Sequence, residues 1–347
     1  MIEIDGSLGE GGGQILRTAL SLSCLFNKPF RIFNIRKGRK KPGLMPQHLT
    51  CLMAAQLISN AKVTGDYQAS TELTFSPQEV KGGDFFFDIG TAGSTSLVIQ
   101  TLIPSLIFLK EKTTLILQGG THVPFSPSFH YISEGFVPMV ERLGIKIRLT
   151  IESYGFYPKG GGRIRAEIFP VKDAKPLRIM ERGKILRLKG YSGVGNLPLS
   201  IADRQKNAAL EKIYSQVPDL QCAVDIELID VPGPGQGTFV FLRAESENSI
   251  AGFTSLGERG KKAETVGQEA AAEFLKYYFT DGALDQYLSD QIVLYLRMSR
   301  EESVFTTSCI TQHLMTNLWV IGLFHEFKYS IEGEMGKPGM VKISLKS

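Results

Sequence analysis

Cysteine is scarce and scattered in this chain. Cys24, Cys51, Cys222 and Cys309 are its four, with no CxxC pair among them. That spacing excludes a zinc ribbon and a disulfide framework, and it fits a reducing, cytoplasmic setting. Long apolar runs are missing too. The longest, from Ser94 to Leu109, carries Gln100 and is too short and polar for a membrane span. The start, Met1-Ile2-Glu3-Ile4-Asp5, is acidic and lacks the apolar stretch of a signal peptide. Neither sign of charge dominates: the net charge is +4, which permits a polyanionic partner without demanding one. No aromatic series suited to stacking successive bases stands out.

What remains is ample for a large folded protein. At 347 residues and 43% hydrophobic content, the chain predicts two folded units with a sizeable core. An internal repeat organises most of it. Copy one has Gly9-Glu10-Gly11-Gly12-Gly13, a helix near 14–26, the strand Phe30–Ile35, a basic loop over 36–46 and a helix near 47–59. Copy two has Gly90-Thr91-Ala92-Gly93-Ser94, a helix near 95–109, the strand Thr114–Leu117, a loop over 119–127 and a helix near 128–143. A fainter third copy has a helix near 282–297, a strand near Ser303–Thr306, a helix opened by His313 and the strand Phe327–Ile331. Apolar residues at three- and four-residue spacing, such as Ile15, Leu16, Ala19, Leu20 and Leu22, mark the helices. Repeated β–α units predict an α/β fold of the α+β type, with sheets covered by helices.

Residues 183–260 read differently and predict a smaller inserted α/β domain. They contain the strand Ile185–Leu188, a Gly-Tyr-Ser-Gly-Val-Gly turn, a charged helix near 200–216 and the strands Ala223–Leu228 and Thr238–Ala244. Residues 1–182 and 261–347 then form the large domain, and the helix from Lys262 to about Phe279 is expected to return to it.

Several segments carry chemistry. Glycines before the first helix turn backbone N–H groups toward an anion at a helix N-terminus, or make only a tight turn; the pattern is neither a Walker A loop nor GxGxxG. Glu10 would repel a phosphate unless a divalent cation came between, which makes it a candidate metal ligand. Arg17 follows in the first turns of the helix. Arg36 and Arg39 lie in a run of five positive charges that reads as a solvated loop or, because Gly38, Pro42 and Gly43 fix its shape, as an anion site. Tyr287-Leu288-Ser289-Asp290-Gln291 is an exposed helical face or a surface for a base and ribose. His313 opens an apolar helix in a chain with five histidines, either as a half-buried boundary residue or as a functional group.

Together these motifs resemble the RNA 3′-terminal phosphate cyclase family along essentially the whole chain. The resemblance runs through Asp5-Gly6 and Gly9 to Arg17, Ile35 to Arg39, Lys41 to Leu44, Gln47-His48-Leu49, Gly93-Ser94, Gln100-Thr101 and Gly119-Gly120-Thr121. It continues through Phe156 to Gly162, Glu245 to Asn248, Gly257 to Gly260, Tyr287 to Gln291 and His313-Leu314-Met315-Thr316-Asn317. It implies three repeated βαβαββ units with an inserted α/β domain, similar to the enolpyruvyl transferases. It also implies ATP-dependent conversion of an RNA 3′-phosphate to a 2′,3′-cyclic phosphate, with Mg or Mn. In family terms His313 is the nucleophile that becomes adenylylated. Gln100, Pro127, Tyr287, Leu288, Ser289, Asp290 and Gln291 line the adenylate pocket. Arg17, Arg36, Arg39 and Gln47 surround the phosphates, and Glu10 holds the metal. The partner is an RNA with a 3′-terminal phosphate, without a membrane, and a homodimer is the assembly to test. A non-catalytic branch of the family acts in ribosome assembly and lacks the histidine, so His313 with the three arginines favours the enzyme. Fold analogy alone would also admit an enolpyruvyl transferase, which the His313 motif argues against. Two departures stand out: Tyr154, where the family usually has His or Arg, and His122, where an acidic residue is common.

Overall fold

The computed structural model describes residues 1–345. Three of its four-stranded sheets share one plan. In the first, Ile2–Asp5 runs parallel to Phe30–Phe33, which pairs antiparallel with Leu73–Ser76 and through it with Lys62–Thr64. Asp84–Asp88, Thr113–Gly119, Gly162–Ile168 and Ile147–Ser153 repeat that order. Arg178–Ile179, Ser303–Thr307, Gly339–Leu345 and Phe327–Gly333 repeat it again. Each parallel pair needs a crossover, and a helix supplies it. These helices are Gly13–Phe26, Thr95–Leu106 and Gln286–Leu296, and a second helical segment follows in each unit: Pro46–Ser59, Phe129–Arg142 and Gln312–Phe324. The three βαβαββ units are therefore present. The third is faint in sequence because its opening strand has only two residues and the insertion follows it directly.

Local chemistry sets the helix ends. Gly13–Phe26 and Pro46–Ser59 both stop at an asparagine in the left-handed region, Asn27 and Asn60, a conformation that Asn tolerates better than most residues. The helix expected near 128–143 is not uniform. It opens as an α-turn over Phe129–Tyr131, widens to a π-helix over Ile132–Phe136 and resumes at Val137–Arg142, with Pro138 unable to donate a backbone hydrogen bond.

The inserted sheet has the order Ala223–Asp230, Ile185–Gly195, Gly237–Ser246, Ile250–Leu256. Its period-two alternation feeds two cores. Val240, Leu242 and Ala244 join a second cluster with the helices Leu199–Gln216 and Ala263–Tyr278, while Phe239 and Phe241 join the core of the three-unit body. Two expectations are corrected here. The helix after 260 does not return to the large domain: Val266, Ala270, Ala271 and Phe274 bury against the inserted sheet. Nor is Gly190 to Gly195 a turn. It continues the strand, because a Cβ at Gly190 would lie 1.9 Å from the Phe241 carbonyl and one at Gly193 2.4 Å from the Phe239 ring. These glycines serve close approach between strands.

In the main body the helix Gly13–Phe26 lies between Thr95–Leu106 and Gln312–Phe324, and the last also packs on Gln286–Leu296. The N-terminal ends of these helices open onto one cleft. No described helix is long and apolar enough to cross a membrane.

Candidate active site

The cleft has a volume of ≈ 1070 Å³ and is lined from all three units and from Gly252 and Thr254 of the inserted sheet. Its floor is the glycine turn. Gly12 caps the first helix without a side-chain hydrogen bond of its own. A Cβ at Gly12 would strike the Glu10 carboxylate at 2.2 Å. One at Gly13 would strike His48 Nε2 at the same distance and Arg17 Nη1 at 2.9 Å. At both positions a functional side chain occupies the space that a Cβ would take. Arg17 is desolvated, which holds its guanidinium below the usual arginine range, and among the described residues it makes no hydrogen bond or ion pair. A half-buried donor fork without a protein partner, lining the cleft, is suited to an anion.

Glu10 is already engaged. Arg39 donates to its carboxylate at 2.8 Å and to its carbonyl at 2.9 Å, and Gln14 N–H reaches the other carboxylate oxygen at 3.4 Å. Arg36 sits with φ +53 and donates to the carbonyls of Lys41, at 2.6 Å, and Gly43, at 3.1 Å. It fixes the basic loop as well as lining the cleft. Of the charge run, only Arg36 and Arg39 reach the cleft; Lys37, Lys40 and Lys41 are exposed to solvent, as a solvated loop would have them. Gln47 and His48 open the next helix. His48 Nδ1 accepts from Met45 N–H at 3.0 Å, and burial beside Arg17 and Arg36 lowers its pKa to about 3, so it is neutral with its proton on Nε2.

His313 stands in the first turn of Gln312–Phe324. Thr311 caps that helix, accepting from Leu314 N–H at 3.0 Å and donating to Asp290 Oδ1 at 2.5 Å. Asn317, one turn on, donates to the Asp290 carbonyl at 2.6 Å and accepts from Thr18 Oγ1 at 2.7 Å. Three helices therefore fix the His313 backbone. The side chain is set by Gln14, whose Oε1 accepts from His313 Nδ1 while its Nε2 donates to the His313 carbonyl at 3.5 Å. An amide oxygen only accepts, so the ring carries its proton on Nδ1 and presents a bare Nε2 lone pair. Desolvation in the cleft lowers the His313 pKa, Arg17 and Arg39 lower it further, and Glu10 opposes them. The imidazole is neutral near pH 7.

The opposite wall comes from Gln286–Leu296. Asp285 caps it, accepting from Tyr287 N–H and Leu288 N–H at 2.9 Å, from Tyr131 Oη–H at 2.9 Å and from Gly252 N–H at 3.3 Å. Burial still raises its pKa to about 6. The run 287–291 does not face the cleft as a block. Helical periodicity sends Tyr287, Asp290 and Gln291 into it, whereas Leu288 is fully buried in the core and Ser289 is fully buried, donating to the Asp285 carbonyl and bonded to Thr307. Asp290 is held well above the usual carboxylate range by burial. Gln100 Nε2 donates to Gln291 Oε1 at 2.7 Å, and Pro127 lines the same cleft.

Eleven of the expected site residues thus share one cavity: Glu10, Arg17, Arg36, Arg39, Gln47, Gln100, Pro127, Tyr287, Asp290, Gln291 and His313. The two departures, His122 and Tyr154, do not line it. They are buried together, rings stacked at 5.2 Å, with Tyr154 Oη 3.1 Å from His130 Nε2. Sequence reasoning gave no role to Gln14, His48 or Asn317, although all three fall within quoted motifs, and it missed Phe125, Tyr131 and the cap Asp285. Among the described residues, no group of three His, Cys, Asp or Glu is placed to hold a metal. Glu10 is a carboxylate in the cleft that could serve as one ligand of a cation whose other partners are phosphate oxygens, a mode Mg²⁺ commonly adopts.

Comparison with known proteins gives the family. A family profile described as RNA 3′-terminal phosphate cyclase matches residues 8–331. Proteins named RNA 3′-terminal phosphate cyclase from Sulfolobus acidocaldarius and Sulfurisphaera tokodaii are 47% and 45% identical, each over 96% of this chain and 97% of its own length. The protein of that name from Pyrobaculum aerophilum is 41% identical over 97% of this chain and 96% of its own. A solved EPSP synthase from Acinetobacter baumannii aligns with 61% of this chain and 54% of its own at a TM-score of 0.26 and 8% identity, too low to carry an argument.

Proposed function

Since this chain belongs to the RNA 3′-terminal phosphate cyclase family, we propose that it converts an RNA 3′-terminal phosphate to a 2′,3′-cyclic phosphodiester at the expense of ATP, through a histidine–AMP intermediate on His313. The observation that carries this reading is the His313–Gln14 pair: a neutral imidazole with its Nε2 lone pair free, in the same cleft as the unpartnered Arg17.

His313 Nε2 attacks the α-phosphorus of ATP. An N–P bond forms, the bond to the bridging oxygen of the β-phosphate breaks, and pyrophosphate leaves. An oxygen of the RNA 3′-phosphate then attacks the same phosphorus, the N–P bond breaks, and the RNA end is adenylylated. The vicinal 2′-hydroxyl, losing its proton, attacks the 3′-phosphorus and expels AMP. Adenylylation is needed because an unactivated phosphate oxygen is a poor leaving group, and the covalent histidine divides one difficult transfer into two. Ring closure gains from the adjacent hydroxyl. Arg17, Arg36, Arg39 and Gln47 hold phosphates, Arg through bidentate contacts. Tyr287 and Pro127 supply apolar surface for the adenine, with Gln100, Asp290 and Gln291 as polar edges. Glu10 would hold the divalent cation, Mg or Mn, which when bound offsets negative charge on the phosphates.

Incubation with α-labelled ATP and metal, followed by denaturing electrophoresis, should show acid-labile protein–AMP. Three RNA ends then test the sequence of steps. A 3′-phosphate end yields cyclic product, a 3′-phosphate end lacking the 2′-hydroxyl stops at the adenylylated strand, and a 3′-hydroxyl end does not discharge the enzyme. Efficient discharge by the 3′-hydroxyl end would point to another acceptor and end the cyclase reading.

A further inference from the structure

The loop Thr121 to Phe129 is closed at its base by Phe129 N–H donating to the Thr121 carbonyl at 2.9 Å, and its tip is Pro124-Phe125-Ser126-Pro127. Phe125 adopts φ +61, in the left-handed region, and the residue is fully exposed. Both features are unfavourable. A bulky residue in that region is strained, and a turn position of this kind usually holds Gly or Asn. Full exposure also leaves a large apolar ring in water. Pro124 before it, Pro127 after it and the Ser126 hydroxyl donating to the Val123 carbonyl at 3.0 Å hold the strained geometry in place. The ring so displayed stands on the rim of the cleft that contains His313 and the three arginines.

We propose that Phe125 is a stacking platform for the terminal nucleobase of the RNA whose 3′-phosphate enters the cleft, so that substrate affinity depends on the presence of that base. This rests on the cyclase reading above. A nucleobase suits the position because it has an apolar π-face large enough to cover the ring, and because the phosphate it accompanies is drawn to Arg17, Arg36 and Arg39 deeper in the same cleft. The adenine of ATP has other surfaces available: Tyr287, 47% exposed, lies edge-on to Tyr131 at 6.3 Å, with Pro127 lining the same cavity. Stacking tolerates any base, so the device adds affinity without reading sequence.

The test uses the full chain and a short 5′-fluorescein RNA ending in a 3′-phosphate, with anisotropy read in the absence of ATP. Phe125→Asn suits the positive φ and removes the ring; Phe125→Tyr keeps the ring. Phe125→Asn should weaken binding about five- to a hundredfold, the range for loss of one base–aromatic stack, and Phe125→Tyr should bind like the wild type. An RNA whose terminal ribose 3′-phosphate is abasic should bind the wild type as weakly as the intact RNA binds Phe125→Asn, and should be indifferent to the substitution. Equal binding of the intact end by wild type and Phe125→Asn overturns the proposal. So does an equal loss in protein–AMP formation measured without RNA, which would assign the ring to the adenine of ATP. Failure of the wild type to form protein–AMP or to bind the 3′-phosphate end would instead overturn the cyclase reading itself.

Discussion

Two regions of this molecule gather histidines, tyrosines and charged groups, and they do opposite things with them. In the cleft, His313 is exposed, its ring orientation is fixed by one amide, and its Nε2 is left free. At the junction with the inserted sheet, His122 is buried among Tyr154, Phe156, Phe239 and His130, and its Nε2 has no hydrogen-bond partner. Burial holds the His122 pKa well below the ordinary histidine value. Both imidazoles are neutral at pH 7. Access to a ligand and a defined tautomer separate them, and residue type and charge state do not.

The sharpest way to break this contrast is His313→Ala, which should abolish both protein labelling by α-labelled ATP and cyclisation. If the variant still forms acid-labile protein–AMP, the cleft histidine is not the nucleophile. A double Arg36→Ala, Arg39→Ala variant comes next. Charge-assisted contacts contribute about 1.5–3 kcal/mol each, so cyclisation should slow by more than about tenfold; a near-normal rate would remove that loop from the site. Asp290→Ala and Gln291→Ala should each weaken protein adenylylation by a smaller factor, read as initial rates of label incorporation, and wild-type rates in both would detach that helix face from the nucleotide.

The smallest effect on activity belongs to the junction. His122→Phe should leave cyclisation at the wild-type rate and change stability instead. The sign follows from its lowered native pKa: the stability linked to a neutral His122 is fully present above pH 6.5 and is lost as pH falls through 6.5, because the unfolded chain takes up a proton that the native ring refuses. The variant should therefore melt higher than wild type at pH 5 by about 2 °C or more, with the gap closing at pH 7.5. Melting curves with equal pH dependence would show that His122 is less isolated than its surroundings indicate.

Much of the cleft was legible in the chain because its parts are local. The glycine turn before the apolar stripe of Ile15, Leu16, Ala19 and Leu20 marks a helix N-terminus, and Arg17 follows one turn later. Leu288 and Ser289 were read with their neighbours because a motif is contiguous, whereas a helix divides it by face. The amphipathic helix Ala263–Tyr278 announces that it buries one side but not against which sheet, and it chose the inserted one. Phe125 was invisible for a different reason. Exposure and a left-handed φ are properties of the folded loop, and the letters Pro-Phe-Ser-Pro do not distinguish a ring in water from a ring in the core.

The threefold repetition of one sheet plan brings Gln47-His48-Leu49 and Gln312-His313-Leu314 to the same end of the second helix in two of the units. Each tripeptide lies at the mouth of the second helix of its unit, and His130 opens the corresponding segment of the remaining unit. His48, with Nδ1 accepting from Met45, keeps its proton on Nε2; His313, with Nδ1 donating to Gln14, keeps Nε2 bare. The two copies are inverted tautomers, a proton donor and an electron-pair donor facing one cavity, while His130 is turned away toward Tyr154. The repeated sheet plan in this way presents both polarities of imidazole to one cavity.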